Sequence, residues 1–475
     1  METLAISGML TAISWRKVRL GELIAIKHGY AFKGEYFSDT GTHVVLTPGN
    51  FHDEGGFKHK GGKEKWYTGP IPKDFVLRAG DLIVAMTEQA EGLLGSSAFV
   101  PNDDQYLHNQ RLGLVQILDP DLLDKYFLYY LFNTQSVRVQ IRATANGAKV
   151  RHTSPSRIYE VIVDLPDVSV QRRIASILGA YDDLIENNLW RIRILEEMAR
   201  ILYKEWFVDF RFPGHEKHGP RPASNEACKP TRPNAPGWHP SSLGPIPTGW
   251  KVKELGEMVT QECKGVNPDT VDPDTPYVGL EHIPRKSIAL FEWGRASDVD
   301  SMKYRFQKGD ILFGKIRPYF HKVSVAHLDG ICSSDTIVIR SRSQDFFGPV
   351  LCCVSSAEFV DQATQTSNGT KMPRANWKVL VKYPLAIPPS ALLERFTAMI
   401  CDIVTLIHNL VAKNVQLRHT RNLLLPKLIS GEILVTGTDA ADEMSEEFRQ
   451  PVALAAEEEI KYKARIQPGN IGHGT

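Results

Sequence analysis

The 475-residue sequence has no run of 18 or more apolar residues, which argues against a membrane-spanning helix. Its opening METLAISGMLTAIS lacks the basic flank and cleavage pattern of a signal peptide, so a cytoplasmic location is expected. Six cysteines, at 228, 263, 332, 352, 353 and 401, include no Cys-x-x-Cys and no Cys/His cluster at ligand spacing. A disulfide framework and a structural zinc site are both disfavoured. The phosphate loop is absent too, since Gly62-Lys63 is followed by Glu and Gly314-Lys315 by Ile. No Gly-x-Gly-x-x-Gly follows a strand. The one Pro-Pro pair, Pro388-Pro389, sits between Ile387 and Ser390, which leaves no polar and aromatic clamp for an amino-methylating site. Glu262-Cys263-Lys264 has the spacing of a nuclease dipeptide without its upstream Pro-Asp, and none of the fifteen histidines is paired at metal spacing.

What is present is globular and divided. With 42% hydrophobic and 23% charged residues, a chain of this length folds as several domains. The net charge of +1 hides an asymmetry. From residue 436 onward eight acidic residues outnumber four basic ones (Arg449, Lys461, Lys463 and Arg465), so an acidic tail of −4 leaves +5 on the body. That balance neither requires nor forbids contact with a polyanion.

The sequence repeats itself. WRKVRLGE at Trp15 matches WKVKELGE at Trp250, offset by 235; AGDLIV at Ala79 matches KGDILF at Lys308, offset by 229; Asn146-Gly147-Ala148-Lys149 matches Asn368-Gly369-Thr370-Lys371, offset by 222. From there the offset is constant through Leu165/Ile387, Ile174/Phe396, Leu195/Leu417 and Leu202/Leu424. The early part of each copy tolerates insertions; the late part keeps its length.

The late part reads as helix. Ile174, Ile177, Tyr181, Leu184, Ile192, Leu195, Ala199, Leu202 and Trp206 recur at helical spacing from Gln171 to about Asp209. In the second copy Phe396, Met399, Ile403, Leu406, Leu410, Leu417 and Leu424 keep the same phase. The two stripes are expected to pack on each other, each interrupted at its own level by one polar residue, Asn188 and Asn414, of the kind that sets register. Exposed Trp190, Trp206 and Phe207 are expected to form an apolar docking patch. Ahead of each helix, short apolar runs bounded by Gly-Asp turns give a mixed texture, with a helix expected from Leu123 to Ile141. Residues 213–247 hold nine prolines and read as an extended linker.

Candidate contact residues lie on loops. Lys149, Arg151 and His152 follow Asn146-Gly147; Lys371 and Arg374 follow Asn368-Gly369. A glycine turn admits close approach, and a neighbouring cation suits phosphate or a base edge; a solvated turn with surface cations is the simpler alternative. Asn109, Gln110 and Arg111 have base-edge chemistry but also suit satisfying local backbone. Lys315 and Arg317 in GKIRPYF and Lys33 in GYAFKGEYF carry the same ambiguity.

Taken in tandem order, WRKVRLGEL, GYAFKGEYF, NQR at Asn109, NGAKVRHTSPSRI, LPDVSVQRRIASILGAYDDLIENN, GDILFGKIRPYFHKV, NGTKMPRANW and LLLPKLISGEI make the chain from Trp15 to about Val435 resemble the specificity subunits of Type I restriction-modification systems. The resemblance implies an α+β chain. A first target recognition domain would span 15–168 and a second 248–389. Spacer helices over 169–212 and 390–435 would pack as an antiparallel coiled coil with a pseudo-two-fold arrangement. A Pro-rich linker at 213–247 and an acidic tail at 436–475 complete the plan. It further implies a non-catalytic subunit that reads a bipartite, asymmetric site on double-stranded DNA. No cofactor is expected in this chain: two methylation and two restriction subunits would supply S-adenosylmethionine, ATP and magnesium chemistry, with no membrane involved. Gln171 is replaced by Leu393 in the second copy, which is a departure at the start of that helix. The competing readings are a DNA methyltransferase or nuclease with an unrecognised site, and a coiled-coil scaffold without DNA specificity.

Overall fold

The computed structural model describes residues 15–60, 63–88, 91–147, 150–228, 237–369 and 371–435. Lys149 and the acidic tail lie outside the described residues. Two compact units are formed, Met1–Leu184 with Leu417–Thr475, and Ile185–Gln416. Among the described residues no helix is long and apolar enough to cross a membrane.

In the first unit a four-stranded antiparallel sheet has the order Ile24–His28, Leu112–Ile117, Leu82–Ala85, Ser97–Phe99. The strand Leu82–Ala85 explains the continuous apolar run in the sequence. Leu82 and Val84 enter the core shared with the helices Lys125–Phe132 and Gln135–Ala143, while Ile83 and Ala85 enter a second core under a five-stranded sheet. Alternate side chains thus fill both faces, leaving no polar side to the strand. The expected single helix over 123–141 is two, because Asp124 and Thr134 each cap a new start by accepting backbone N–H groups.

The second unit repeats the plan. Its four-stranded sheet runs Val259–Glu262, Thr336–Ser341, Ile311–Gly314, Val323–Val325, and helices Phe347–Val354 and Ala357–Gln365 pack behind it. Ile311 and Phe313 face the helices and Leu312 the smaller core. The five-stranded sheets share four strands, including one parallel pair in each: His43–Val45 with Tyr106–Leu107, and Pro276–Val278 with Gly330–Cys332. The fifth strand differs. Phe37–Ser38 lies beside Trp66–Tyr67 in the first unit, whereas Gly265–Val266 lies beside Lys303–Phe306, at the opposite edge, in the second. In each unit an early strand also pairs antiparallel with the strand preceding a long helix, Arg16–Arg19 with Ile162–Leu165 and Lys251–Glu254 with Pro384–Ile387.

The long helices are Val168–Tyr203, followed by a wider π-type turn over Lys204–Val208, and Ser390–Ile429. Gln171 is fully buried and anchors the start of the first. Its amide donates to the carbonyls of Leu122 and Pro166 at 2.9 and 2.8 Å and accepts from the Asp124 N–H at 2.8 Å. The second helix has Leu393, which is buried among apolar neighbours instead.

Several packing expectations need correction. Ile177, Leu184 and Leu406 are exposed at 37%, 53% and 49%. The buried positions beside them are Leu178, Ile185 and Ile407, one residue on. The seam follows the neighbour four residues after Ile174, Tyr181 and Ile403, not three, so that Leu178, Ile185, Ile192, Ala199 and Trp206 fall at a spacing of seven. Ile174, Asn188, Ile192, Phe396, Ile403 and Leu410 are buried, and Tyr181, Leu195, Leu202, Met399, Leu417 and Leu424 half-buried.

Within the second unit the helices run antiparallel, Phe207 stacking edge-on against Phe396 at 4.6 Å while Asn188 meets Asn414. The two asparagines are therefore at one level, not two. Asn188 Nδ2 donates to Asn414 Oδ1 at 2.8 Å, and Asn414 Nδ2 donates to the Ile185 carbonyl at 3.2 Å, both side chains buried. In the first unit Arg421 of the second helix instead pairs with Asp182 of the first, and also with Glu54 at 3.1 Å.

The expected apolar patch is also corrected. Trp206 and Phe207 are buried by Phe396 and Trp250, and Trp190 is half-buried. The described part of 213–247 is not simply extended. It contains 3-10 turns at His215–His218 and Asn225–Ala227 and a short strand pair, Trp238–His239 with Ile246–Pro247. Arg221 lies over the Phe210 ring at 4.8 Å.

Candidate nucleic-acid interface

Loops at the end of each four-stranded sheet are tied into one edge by backbone hydrogen bonds. In the first unit the Met86 N–H donates to the Arg111 carbonyl at 3.0 Å and the Thr153 N–H donates to the Met86 carbonyl at 2.9 Å. Beside them the Tyr30 N–H donates to His108 and the Gln110 N–H to Tyr30, at 2.8 and 3.0 Å. Gly29 is required there, because a Cβ would sit 2.1 Å from the Asn109 carbonyl oxygen. The segments holding Lys33, Asn109–Arg111 and Arg151–His152 are thus brought side by side.

The second unit builds the same edge. Lys315 N–H donates to the Asp335 carbonyl at 2.8 Å and Ala375 N–H to the Lys315 carbonyl at 2.9 Å. Both glycine turns are closed alike: Asn146 exchanges backbone hydrogen bonds with His152, Asn368 with Arg374, and Gly147 and Gly369 take φ of 98° and 99°. Only a residue without Cβ adopts such angles freely.

The side chains on these matched edges differ. Lys33 is exposed with Glu35 3.9 Å away. Asn109 is half-buried, and its side-chain oxygen accepts the Arg111 N–H at 3.0 Å, so it serves the turn; Gln110 and Arg111 are exposed. Arg151 is half-buried opposite Glu88, and His152 is exposed opposite Thr87. Glu88 itself is buried and accepts the N–H groups of Gly92 and Leu94 at 3.2 and 2.9 Å. In the second unit Lys315 and Arg317 are half-buried and Lys371 and Arg374 exposed, with Arg374 3.6 Å from Asp335. Below the first edge His108 is buried, its ring on the Leu112 carbonyl at 3.0 Å; burial pushes its pKa down to about 4, keeping it neutral.

Beside the second edge Arg285 lies over the Phe320 ring at 3.9 Å and the Lys286 N–H donates to the His321 carbonyl at 2.8 Å. Tyr319 and Phe320 belong to the GKIRPYF motif, whereas Arg285 reaches Phe320 only through a contact between distant segments, for which no local pattern exists. Among the described residues no group of three or more His, Cys, Asp or Glu side chains is placed to hold a metal ion.

Residues 13–196 match the family described as the Type I restriction modification DNA specificity domain. The chain is 25% identical over 341 residues to the MjaIX Type I restriction enzyme specificity subunit of Methanocaldococcus jannaschii, covering 68% of this chain and 72% of that one. To the EcoDI specificity subunit of Escherichia coli it is 27% identical over 286 residues, 58% of this chain and 61% of the relative. The crystal structure of a Type I restriction-modification S subunit from M. genitalium shares the fold, with a TM-score of 0.52 at 15% identity over 89% of this chain and 98% of that chain.

Proposed function

We propose, from the premise that this chain belongs to the specificity-subunit family of Type I restriction-modification systems, that it recognises a bipartite, asymmetric DNA target and brings methylation and restriction subunits to it. The observation that carries this reading is one hydrogen-bonded edge, built twice, presenting different polar and basic side chains each time. Equal scaffolds with unlike loops suit two different half-sites, because base readout depends on loop side chains while scaffold contacts only orient them. Residues 15–168 read one half and 248–389 the other, Gln110, Arg111, Arg151 and His152 serving the first and Lys315, Arg317 and Arg374 the second. Lys149 and Lys371, beside the matched glycine turns, hold phosphate. The long helices, at 169–212 and 390–435, set the spacing between half-sites. The subunit acts in the cytoplasm and is itself non-catalytic, with S-adenosylmethionine, ATP and magnesium used by its partners.

Mapping methylated sites in cells that carry the chain with its methylation partner tests this. One split, non-palindromic motif is expected. A symmetric motif, or methylation without sequence preference, overturns the reading. Four residues inserted in one long helix add about 6 Å and are expected to lengthen the unread spacer by about one or two base pairs, both half-site sequences being unchanged. Lys371→Ala is expected to weaken binding to all sequences alike and to lower the salt slope by about one.

A further inference from the structure

Three segments of the second unit meet around Phe320. The Lys286 N–H donates to the His321 carbonyl at 2.8 Å, the Arg317 N–H to the Pro373 carbonyl at 2.7 Å, and the His321 ring meets the Ser355 carbonyl at 2.8 Å. Lys286, Arg317 and His321 all take left-handed backbone angles, φ 55°, 49° and 52°. They are three of the five non-glycine residues with positive φ among the described residues, and side chains with a Cβ adopt that region at a cost.

What the strained knot holds is two positive charges on one ring. The Arg285 guanidinium lies 3.9 Å from the Phe320 centroid and the Arg317 guanidinium 5.8 Å from it. Among the described residues neither has an Asp or Glu within ion-pair distance, whereas Arg340 is held by Asp310 at 2.7 Å and Arg421 by Asp182. Tyr319, next in the loop, is 51% exposed. The scaffold does not demand this arrangement, since the matching position in the first unit is the buried acid Glu88. Converging cations without a counterion are unfavourable until an acceptor-rich anion arrives. Stacking also fixes the guanidinium plane and leaves its N–H edge free, the geometry that pairs with two acceptors at once.

We propose that Arg285, gripped by Phe320, is a specificity-determining residue of the second domain and that Arg317, on the same ring, is the phosphate contact that positions it. Arg285 reads one guanine through its O6 and N7 acceptors in the major groove, and Arg317 holds the adjoining phosphate. This rests on the DNA-recognition reading above.

The test uses the full chain with its methylation partner. Arg285→Lys keeps the charge and loses the planar fork, so one guanine of the methylated motif is expected to become degenerate, with roughly a tenfold or greater loss of preference there. Arg317→Ala is expected to weaken binding without changing the motif, with the salt slope lower by about one. DNA carrying 7-deazaguanine at that position is expected to bind the unaltered protein as weakly as natural DNA binds R285K, and this measurement stands even if the variant folds poorly. An unchanged motif in R285K, or full binding to the 7-deazaguanine site at each guanine tried in turn, overturns the proposal. If the unaltered complex shows no sequence preference at all, it is the recognition reading that fails.

Discussion

At matching positions the two edges exchange charge. Arg111 in the first unit stands where Asp335 stands in the second, and buried Glu88 stands where Arg317 stands, on backbones joined by the same hydrogen bonds. The comparison separates what the scaffold needs from what it merely tolerates. Glu88 is consumed locally by the N–H groups of Gly92 and Leu94, with Arg142 3.8 Å away. Arg317, in contrast, lies 5.8 Å from the Phe320 ring and, among the described residues, has no Asp or Glu within ion-pair distance. At this one position the first edge uses its charge on its own loop and the second keeps it available.

The most complete effect is expected from exchanging residues 15–168 for the corresponding domain of a Type I specificity subunit such as the EcoDI relative. One half of the methylated motif should be replaced and the other kept; a change in both halves would break the division of labour between the edges. Next in size, Glu88→Ala strands two backbone donors and should cost about 2–3 kcal/mol, seen as a lower denaturant midpoint. Arg317→Ala at the matching position should change stability by less than about 0.5 kcal/mol. Equal losses would mean that both charges are structural.

Acidification probes both units by the same physics. His108 in the first unit and His408 in the second are each pushed down to about 4 by burial, His408 also by neighbouring His327. A free imidazole takes up its proton near pH 6.5, so between about pH 6.5 and 4 the unfolded chain binds more protons than the folded one. Stability is therefore full above that window and falls as pH drops through it, by up to about 1.4 kcal/mol per pH unit for each group. Hydrogen exchange followed peptide by peptide should show the first unit losing this dependence in His108→Gln and the second retaining it. Asn188→Leu leaves the Asn414 side-chain oxygen without its donor and should cost about 1–2 kcal/mol, while Leu at both positions should restore the thermal midpoint or raise it.

Much of this was legible in the sequence wherever local pattern and spatial role coincide. The 229-residue offset between AGDLIV and KGDILF marks two strands that fill equivalent places, because a strand buried on both faces must be apolar throughout. The Asn-Gly pairs mark turns of equal geometry, because the φ of Gly147 and Gly369 excludes most other residues. Reading stopped where three and four residues along a helix look alike. Leu184 and Ile185 are adjacent and both apolar, yet one is exposed and the other buried, and only the partner helix distinguishes them. Trp206 and Phe207 look like docking residues until Phe396 and Trp250 are placed on them. Arg285 is invisible in the same sense, since Phe320 is distant in the chain and the stack between them follows no period.

The asparagine pair has a consequence for half-length chains. By the repeat, Asn188 corresponds to Leu410 and Asn414 to Ile192, and Ile192 and Leu410 are both buried in one apolar core. If two first halves paired with each other antiparallel in this register, each Asn188 would face an Ile192 and lose its amide partner. Two second halves would set Asn414 against Leu410 in the same way. Only unlike halves satisfy both amides, so self-pairing is penalised twice over by groups left unbonded in an apolar seam. A duplicated chain with that lock keeps one copy of each half together.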